Sequence, residues 1–199
     1  MESIAETSLW HILGADLARQ GVAPSMAGLL KTCLANRVFR AVVSMRLCRA
    51  AAASDSAWGR LLLPLLRLAH RWNCRRAGMD LSWQASVAAG LAVTHGWGLV
   101  VSPGATIGRN CTLFHGATLG RGDRIGQDGS RVSGFPVVED DVWIGPHAIV
   151  VGGVRVGRGS RILGGAFVGV DVPPRSLVGG NPARIIRENI VPDVVNPID

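Results

Sequence analysis

Lysine is almost missing from this chain. Lys31 is the only one, so the formal net charge of +7 comes almost wholly from arginine. No unbroken apolar stretch is long enough to span a bilayer, and the N-terminus carries Glu2, Glu6 and Asp16 where a signal peptide would carry basic residues. Neither a leader nor a spanning helix is expected. CxxC spacing is absent as well: Cys33, Cys48, Cys74 and Cys111 stand apart, which fits reduced thiols in a cytoplasmic protein better than a disulfide framework or a zinc site. The sequence holds no nucleic-acid recognition motif, and its aromatics do not interleave with its arginines, so no nucleic acid partner is expected despite the charge. The arginines read as a solvated or anion-attracting face, from which a phosphate-bearing substrate would gain. At 199 residues and 48% hydrophobic, the chain can bury the core of one large domain or two small ones.

What the second half does have is a period. Val138, Ile144, Val150, Val156, Ile162 and Val168 recur every six residues, and the residue four further on is small or aliphatic each time, from Val142 to Val172. A helix repeats its apolar residues every three or four positions and a two-sided strand every two, so a strict six implies short strands joined by corners. Three hexads make one coil, and coils bury their inward residues only by stacking, which predicts a parallel β-helix. The frame continues upstream through Val101, Ile107, Leu113 and Leu119. It slips between Val93 and Val101, which are eight apart, and His95 lies in that slip. It breaks again between Leu119 and Val138, where a Gly-rich polar run predicts an extruded loop at about 121–136. Loops leaving a rigid scaffold commonly carry specificity.

Residues 1–78 read as an α-helical cap: a first helix from Ser8 to Gln20, a second opened by Ser25 and running to about Ala53, and a third from Ala57 to Arg76 that stops at Gly78, with Pro64 kinking it or resetting its start. Residues 79–178 read as the β-helix and 179–199 as an exit turn and loose tail. The third helix interleaves arginines with Leu61, Leu62, Leu63, Leu65, Leu66 and Trp72. The plain reading is that these leucines pack on the β-helix or on another subunit while the arginines face water; the other is a basic amphipathic surface lying on an anionic membrane.

Of five histidines, His11 and His70 fall on the helices, where surface or capping roles are the default, and His147 at a regular corner is expected to face solvent. His115 follows Phe114 and can line a cleft. His95 differs, because flanking glycines and a broken frame release it from the core. A neutral imidazole there can take a proton from a hydroxyl or thiol, and it works best when a carboxylate holds its other nitrogen. Asp80, fifteen residues earlier, lies about one coil back and can be that carboxylate or a cap at the junction of helix and solenoid. His95, His115 and His147 could be nominated as metal ligands, but no spacing places three imidazoles around one point, so no metal is expected.

These residues resemble a known family. Met79-Asp80-Leu81, Thr94-His95-Gly96-Trp97-Gly98, Ile107-Gly108, Thr118-Leu119-Gly120 and the exit Gly180-Asn181-Pro182-Ala183-Arg184 are similar to the serine acetyltransferase branch of the hexapeptide-repeat acyltransferases. The resemblance implies a left-handed β-helix, a homotrimer with sites between adjacent solenoids, and acyl transfer from acetyl-CoA, with pairing of trimers left open. It implies His95 as general base and Asp80 as its orienter. It places coenzyme A against Thr118, Gly120, Gly145, Ala148 and Arg184.

Departures bear on the acceptor. Serine acetyltransferases have an Asp directly before the catalytic His and an Arg-His pair before a Pro in the loop; here Thr94 and Gly134-Phe135 stand there. Each lost charged contact weakens a zwitterionic acceptor by roughly 1.5–3 kcal/mol. The loop is similar to that of relatives acetylating sugars in capsule or exopolysaccharide synthesis, with Thr94, Trp97, His115 and Phe135 as acceptor contacts. A sugar hydroxyl is therefore the expected acceptor, serine the alternative, and an idle trimeric scaffold the rival from another class. The end at Asn196-Pro197-Ile198-Asp199 lacks the terminal isoleucine by which serine acetyltransferases dock into cysteine synthase, so that partner is not expected.

Overall fold

The computed structural model describes residues 8–198, so Glu2, Glu6 and Asp199 lie outside it. Four helices come first: α1 (Leu9–Ala18), α2 (Met26–Ala35), α3 (Arg37–Ala53) and α4 (Ala57–Ala77). Ser8, Ser25 and Ser56 accept the orphan amides at the starts of α1, α2 and α4. The expected single helix from Ser25 to Ala53 is two helices. Asn36 leaves helical geometry at φ −115° and ψ 105°, and its side chain accepts from the amides of Val38 and Phe39 to start α3. Helix α4 runs unbroken across Pro64 and ends on Gly78, at φ +69°.

The remainder is a parallel β-helix of about five coils. The first coil carries β1 (Asp80–Leu81), β2 (Ser86–Val87) and β3 (Ala92–Thr94), and the second β4 (Val100–Val101), β5 (Thr106–Ile107) and β6 (Thr112–Phe114). The third has β7 (Thr118–Gly120), an inserted hairpin of β8 (Gly122–Ile125) and β9 (Arg131–Gly134), then β10 (Val137–Val138) and β11 (Trp143–Ile144). β12 (Ile149–Val151), β13 (Arg155–Val156) and β14 (Arg161–Ile162) form the fourth, and β15 (Phe167–Val168) and β16 (Leu177–Gly179) the fifth, closed by the antiparallel strand β17 (Arg184–Arg187). Corresponding strands stack into three sheets, headed by β1, β2 and β3. Val100 pairs with Thr118 and Ile149 with Phe167, eighteen residues apart each time, or three hexads. Asp80 pairs with Val100, two residues over that spacing, because of the slip around His95. The aliphatic frame and its small partners, Cys111, Ala148 and Ala166 among them, are all buried. Ser160 holds one such inward position because its hydroxyl is satisfied, donating to Pro173 and accepting from the Ser176 amide.

The helices keep a small cluster of their own, Leu13, Leu17, Leu29 and Phe39, and also share a core with the β-helix. Val38, Val42, Met45, Cys74 and Ala77 join the same buried cluster as the β-helix interior. A buried ion pair fixes the join: Arg46 donates to both oxygens of Asp16, at 2.8 and 3.1 Å, and to the carbonyls of Val87 and Ala88, while Asp16 accepts from the amides of Gly90 and Leu91. Removing one partner alone strands a buried charge, at about 3–5 kcal/mol. His70 is also interior rather than a surface or capping group, bridging the Ser44 hydroxyl at 2.9 Å and the Leu81 carbonyl at 2.7 Å.

The C-terminal tail is docked, not loose. Ile190 is buried and exchanges hydrogen bonds with Arg175, Asp193 pairs with Arg161 at 2.6 Å, and Ile198 exchanges two hydrogen bonds with Asn110. Arg19, at the end of α1, donates to Val195, Gly90 and Thr112. The tail thus ties the fifth coil back to the first.

Candidate active site

His95 stands at the corner between the third sheet and the first, where the chain leaves β3 for β4. Its backbone is left-handed, at φ +67°, and Gly96 and Gly98 follow at +68° each, so the side chain is carried outward into solvent. The same corner on the next two coils holds His115 and His147. Ring centroids of His95 and His115 are 5.7 Å apart, and those of His115 and His147 5.1 Å, both edge to face. The sequence spacing gave no hint of this alignment: the rings are twenty and thirty-two residues apart, and stacking of coils lengthened by the slip and by the hairpin brings them into one column. The rings form a column rather than converge on a point, and among the described residues no group of three His, Cys, Asp or Glu is placed to hold a metal. Amide-to-carbonyl bonds lace the corner together, from Gly98 to Gly78, Gly116 to Trp97 and His147 to His115.

Two details shape the chemistry. The Nδ1 atom of His115 is buried without a partner among the described residues, a cost that a ligand group would relieve. In the His95 turn the Trp97 and Gly98 amides are spent on the His95 and Gly78 carbonyls, leaving the His95 and Gly96 N–H groups as amides that, among the described residues, no carbonyl takes.

A recess of about 400 Å³ opens beside His95, walled by Asn36, Arg37, Val38, Val93 and Trp97. The Arg37 guanidinium lies 4.4 Å from the centre of the Trp97 ring, which itself packs on Gly78. Sequence reading missed Arg37, one of many helical arginines, because its contact with Trp97 spans sixty positions.

The other residues singled out from sequence are dispersed. Asp80 lies at the head of β1 on the same corner, yet it lines a second recess, of about 310 Å³, with Arg67, His70, Arg71 and Trp83. Among the described residues no hydrogen bond or ion pair joins it to His95, and its partner in the sheet is Val100. Thr94 adjoins His95 in sequence but lines a third hollow beside Phe114, Trp143 and the tail residues Asp193 and Asn196. Phe135 packs over Gly104 at the opposite corner of the first sheet, beside the β8–β9 hairpin. Thr118 is half-buried, Gly120 is buried at the end of β7, and Arg184 is exposed on β17. Gly145 and Ala148 are buried; Ala148 points into the core and the Gly145 amide is bonded to Ile162, so neither offers coenzyme A a side-chain or amide contact.

The comparisons with known proteins agree with this architecture. Residues 135–169 match the family model described as bacterial transferase hexapeptide (six repeats), which sets the class as the hexapeptide-repeat transferases. No curated protein matches the sequence. The soybean serine acetyltransferase apoenzyme is 30% identical over 92% of this chain and 70% of its own, with a TM-score of 0.71. Serine acetyltransferase from Brucella abortus strain S19 in complex with coenzyme A is 27% identical over 94% of this chain and 71% of its own, at 0.73. The soybean enzyme complexed with serine is 30% identical over 92% and 71%, at 0.71. The chain belongs to the serine acetyltransferase family of hexapeptide-repeat transferases. It is an O-acetyltransferase. None of these neighbours is a sugar acetyltransferase, so the expectation of a closest kinship with polysaccharide-modifying relatives finds no support.

Proposed function

We propose that the protein transfers an acetyl group from acetyl-CoA to the hydroxyl of L-serine, with His95 as general base. The observation that carries the acceptor is Arg37 in the wall of the His95 recess. A fixed guanidinium beside the base offers a carboxylate the charge-assisted contact that Thr94 and Phe135 do not provide. Serine and coenzyme A in neighbouring structures of the same family add weight to this reading.

In this reading the His95 imidazole takes the proton of the serine hydroxyl as its oxygen attacks the thioester carbonyl. The tetrahedral oxyanion gains from a donor such as the Gly96 amide. Collapse breaks the carbon–sulfur bond, and the imidazolium returns its proton to the leaving thiolate, giving O-acetylserine and free coenzyme A. Asp80 serves as orienter by turning from its own recess toward the corner it shares with His95. Coenzyme A lies along the first sheet past Thr118 and Gly120 toward Arg184.

A homotrimer belongs to the same proposal. His95 and the hairpin with Phe135 occupy opposite corners of one sheet, so the two meet where one copy's corner faces another's.

A sugar hydroxyl is the second reading. The exposed indole of Trp97 favours it, since a ring face can stack on a sugar without any charge. Release of free coenzyme A by the purified protein, measured with L-serine and with a panel of sugars and nucleotide sugars, separates the two. Serine-dependent release that disappears in His95→Ala supports the first, sugar-dependent release replaces it with the second, and release with neither, joined to failure to bind coenzyme A, returns the idle scaffold.

A further inference from the structure

Helix α4 buries one face and leaves another, equally apolar, without a partner among the described residues. Gly59, Leu63, Leu66, His70, Cys74 and Ala77, spaced by threes and fours, turn inward and are half-buried or buried. Across the helix Trp58, Leu61, Leu65, Leu68 and Trp72 repeat the same spacing and stand 58–72% exposed. Of the leucines expected to pack on the β-helix or on another subunit, Leu63 and Leu66 turn inward, while Leu61 and Leu65 do not pack on the β-helix. Beside the stripe Arg60, Arg67, Arg71 and Arg75 form a row, with Arg76 beyond, and α4 contains no Asp or Glu. Among the described residues none of these five arginines is in an ion pair with a carboxylate.

The charge pattern selects the occupant. A second copy would bring a stripe flanked by the same unpaired cations, whereas an anionic lipid surface offers apolar chains below and phosphates above. The two tryptophans bracket the stripe about 21 Å apart along the axis, at its two ends, where amphipathic rings suit the headgroup level. No described helix is long and apolar enough to cross a membrane, so the geometry is that of a helix lying in the surface. We propose that α4 docks the protein on an anionic bilayer, with Leu61, Leu65 and Leu68 in the acyl boundary, Trp58 and Trp72 at the headgroup level and the arginines on lipid phosphates. The inference does not depend on which hydroxyl is acetylated.

The test is co-sedimentation of the full-length protein with vesicles of phosphatidylcholine alone and of phosphatidylcholine mixed with phosphatidylglycerol. Binding is expected only to the mixed vesicles, and it should weaken as salt is raised. Arg60→Gln with Arg75→Gln should lower the partition coefficient about 25-fold, at about fivefold for each cation removed. Leu61→Ser with Leu65→Ser should abolish binding, while both variants keep the wild-type circular dichroism and coenzyme A release. Absence of binding at low salt, or binding indifferent to both variants, overturns the proposal. So does a fall in the mass of the lipid-free assembly, by light scattering, in Leu65→Glu, because a second copy would then be what covers the stripe.

Discussion

The His95 ring meets the edge of His115 with centroids 5.7 Å apart and planes at 67°, so two imidazoles twenty residues apart in sequence form one surface. His95 is the exposed end of that surface and borders the Arg37 recess. A base in this position should account for about 10²–10⁴ of the rate. His95→Ala is expected to lower kcat/KM for the accepted hydroxyl by that factor while coenzyme A still binds, as read by coenzyme A release and by calorimetry. A loss under tenfold would remove His95 as the base.

The column is held by glycine. At Gly116, φ is +67° and a Cβ would fall within the ring of His147; at Gly165, φ is +70° and a Cβ would meet nothing. Alanine at either position carries the cost of a left-handed residue, about 1–2 kcal/mol. Gly116→Ala must also displace His147. Thermal denaturation of the pair should therefore show a larger fall in Tm for Gly116→Ala than for Gly165→Ala. Equal shifts would mean that His147 swings aside at no cost.

Arg37→Gln keeps the length of the side chain near Trp97 and removes its charge. If the recess holds a serine carboxylate, KM for serine rises roughly 10- to 150-fold, the range set by one charge-assisted hydrogen bond, with a smaller change in kcat. A sugar acceptor predicts no such split. Steady-state kinetics on the variant decide between them, independently of which substrate wild-type protein turns over faster.

His70 gives stability a pH dependence. Burial lowers its pKa below the ordinary histidine value, partly offset by its hydrogen bond to the Leu81 carbonyl. The folded state thus binds this proton less readily than the unfolded chain does. The stability that neutral His70 confers is complete above the unfolded value, about 6.5, and drains away as pH falls through the lower folded value. Urea denaturation from pH 8 to pH 5 should show the midpoint dropping on acidification, and His70→Gln, which can still hydrogen-bond, should flatten that part of the profile.

The β-helix was legible because its inward positions repeat without drift, so Val138 to Val168 announce the coil by their spacing alone. The slip at His95 and the extruded hairpin were legible for the same reason, as departures from a strict frame. The break at Asn36 was not, since apolar residues continue on both sides and only the capping geometry of one side chain ends α2. Contacts that depend on coil stacking left no local trace, which is why the alignment of His115 with His95 and the approach of Arg37 to Trp97 had to come from the fold. Asp80 shows the converse: a separation of fifteen residues suggests about one coil, yet the fold stacks Asp80 on Val100 and opens it onto another recess.

The tail illustrates how a segment without any period can be ordered. Val191 to Ile198 contains Pro192 and Pro197 and no repeat, yet Arg19 fastens it by donating to Val195 while also donating to Thr112 at 2.7 Å and Gly90 at 3.1 Å. Burial lowers the Arg19 pKa, chiefly by desolvation, but a guanidinium loses its proton far above the working range and remains charged. Its hydrogen bonds are thus charge-assisted, and Arg19→Ala should destabilise the protein by about 1.5–3 kcal/mol for the strongest of them alone. Hydrogen exchange gives the sharper reading. The Ile198 amide, bonded to Asn110 at 3.0 Å, should exchange slowly in the wild type and fast in Arg19→Ala, while amides of β11 and β14 keep their protection. A tail held only by its own corner contacts would leave Ile198 protected in both, and Arg19 would then be no more than a brace between α1 and the first two coils.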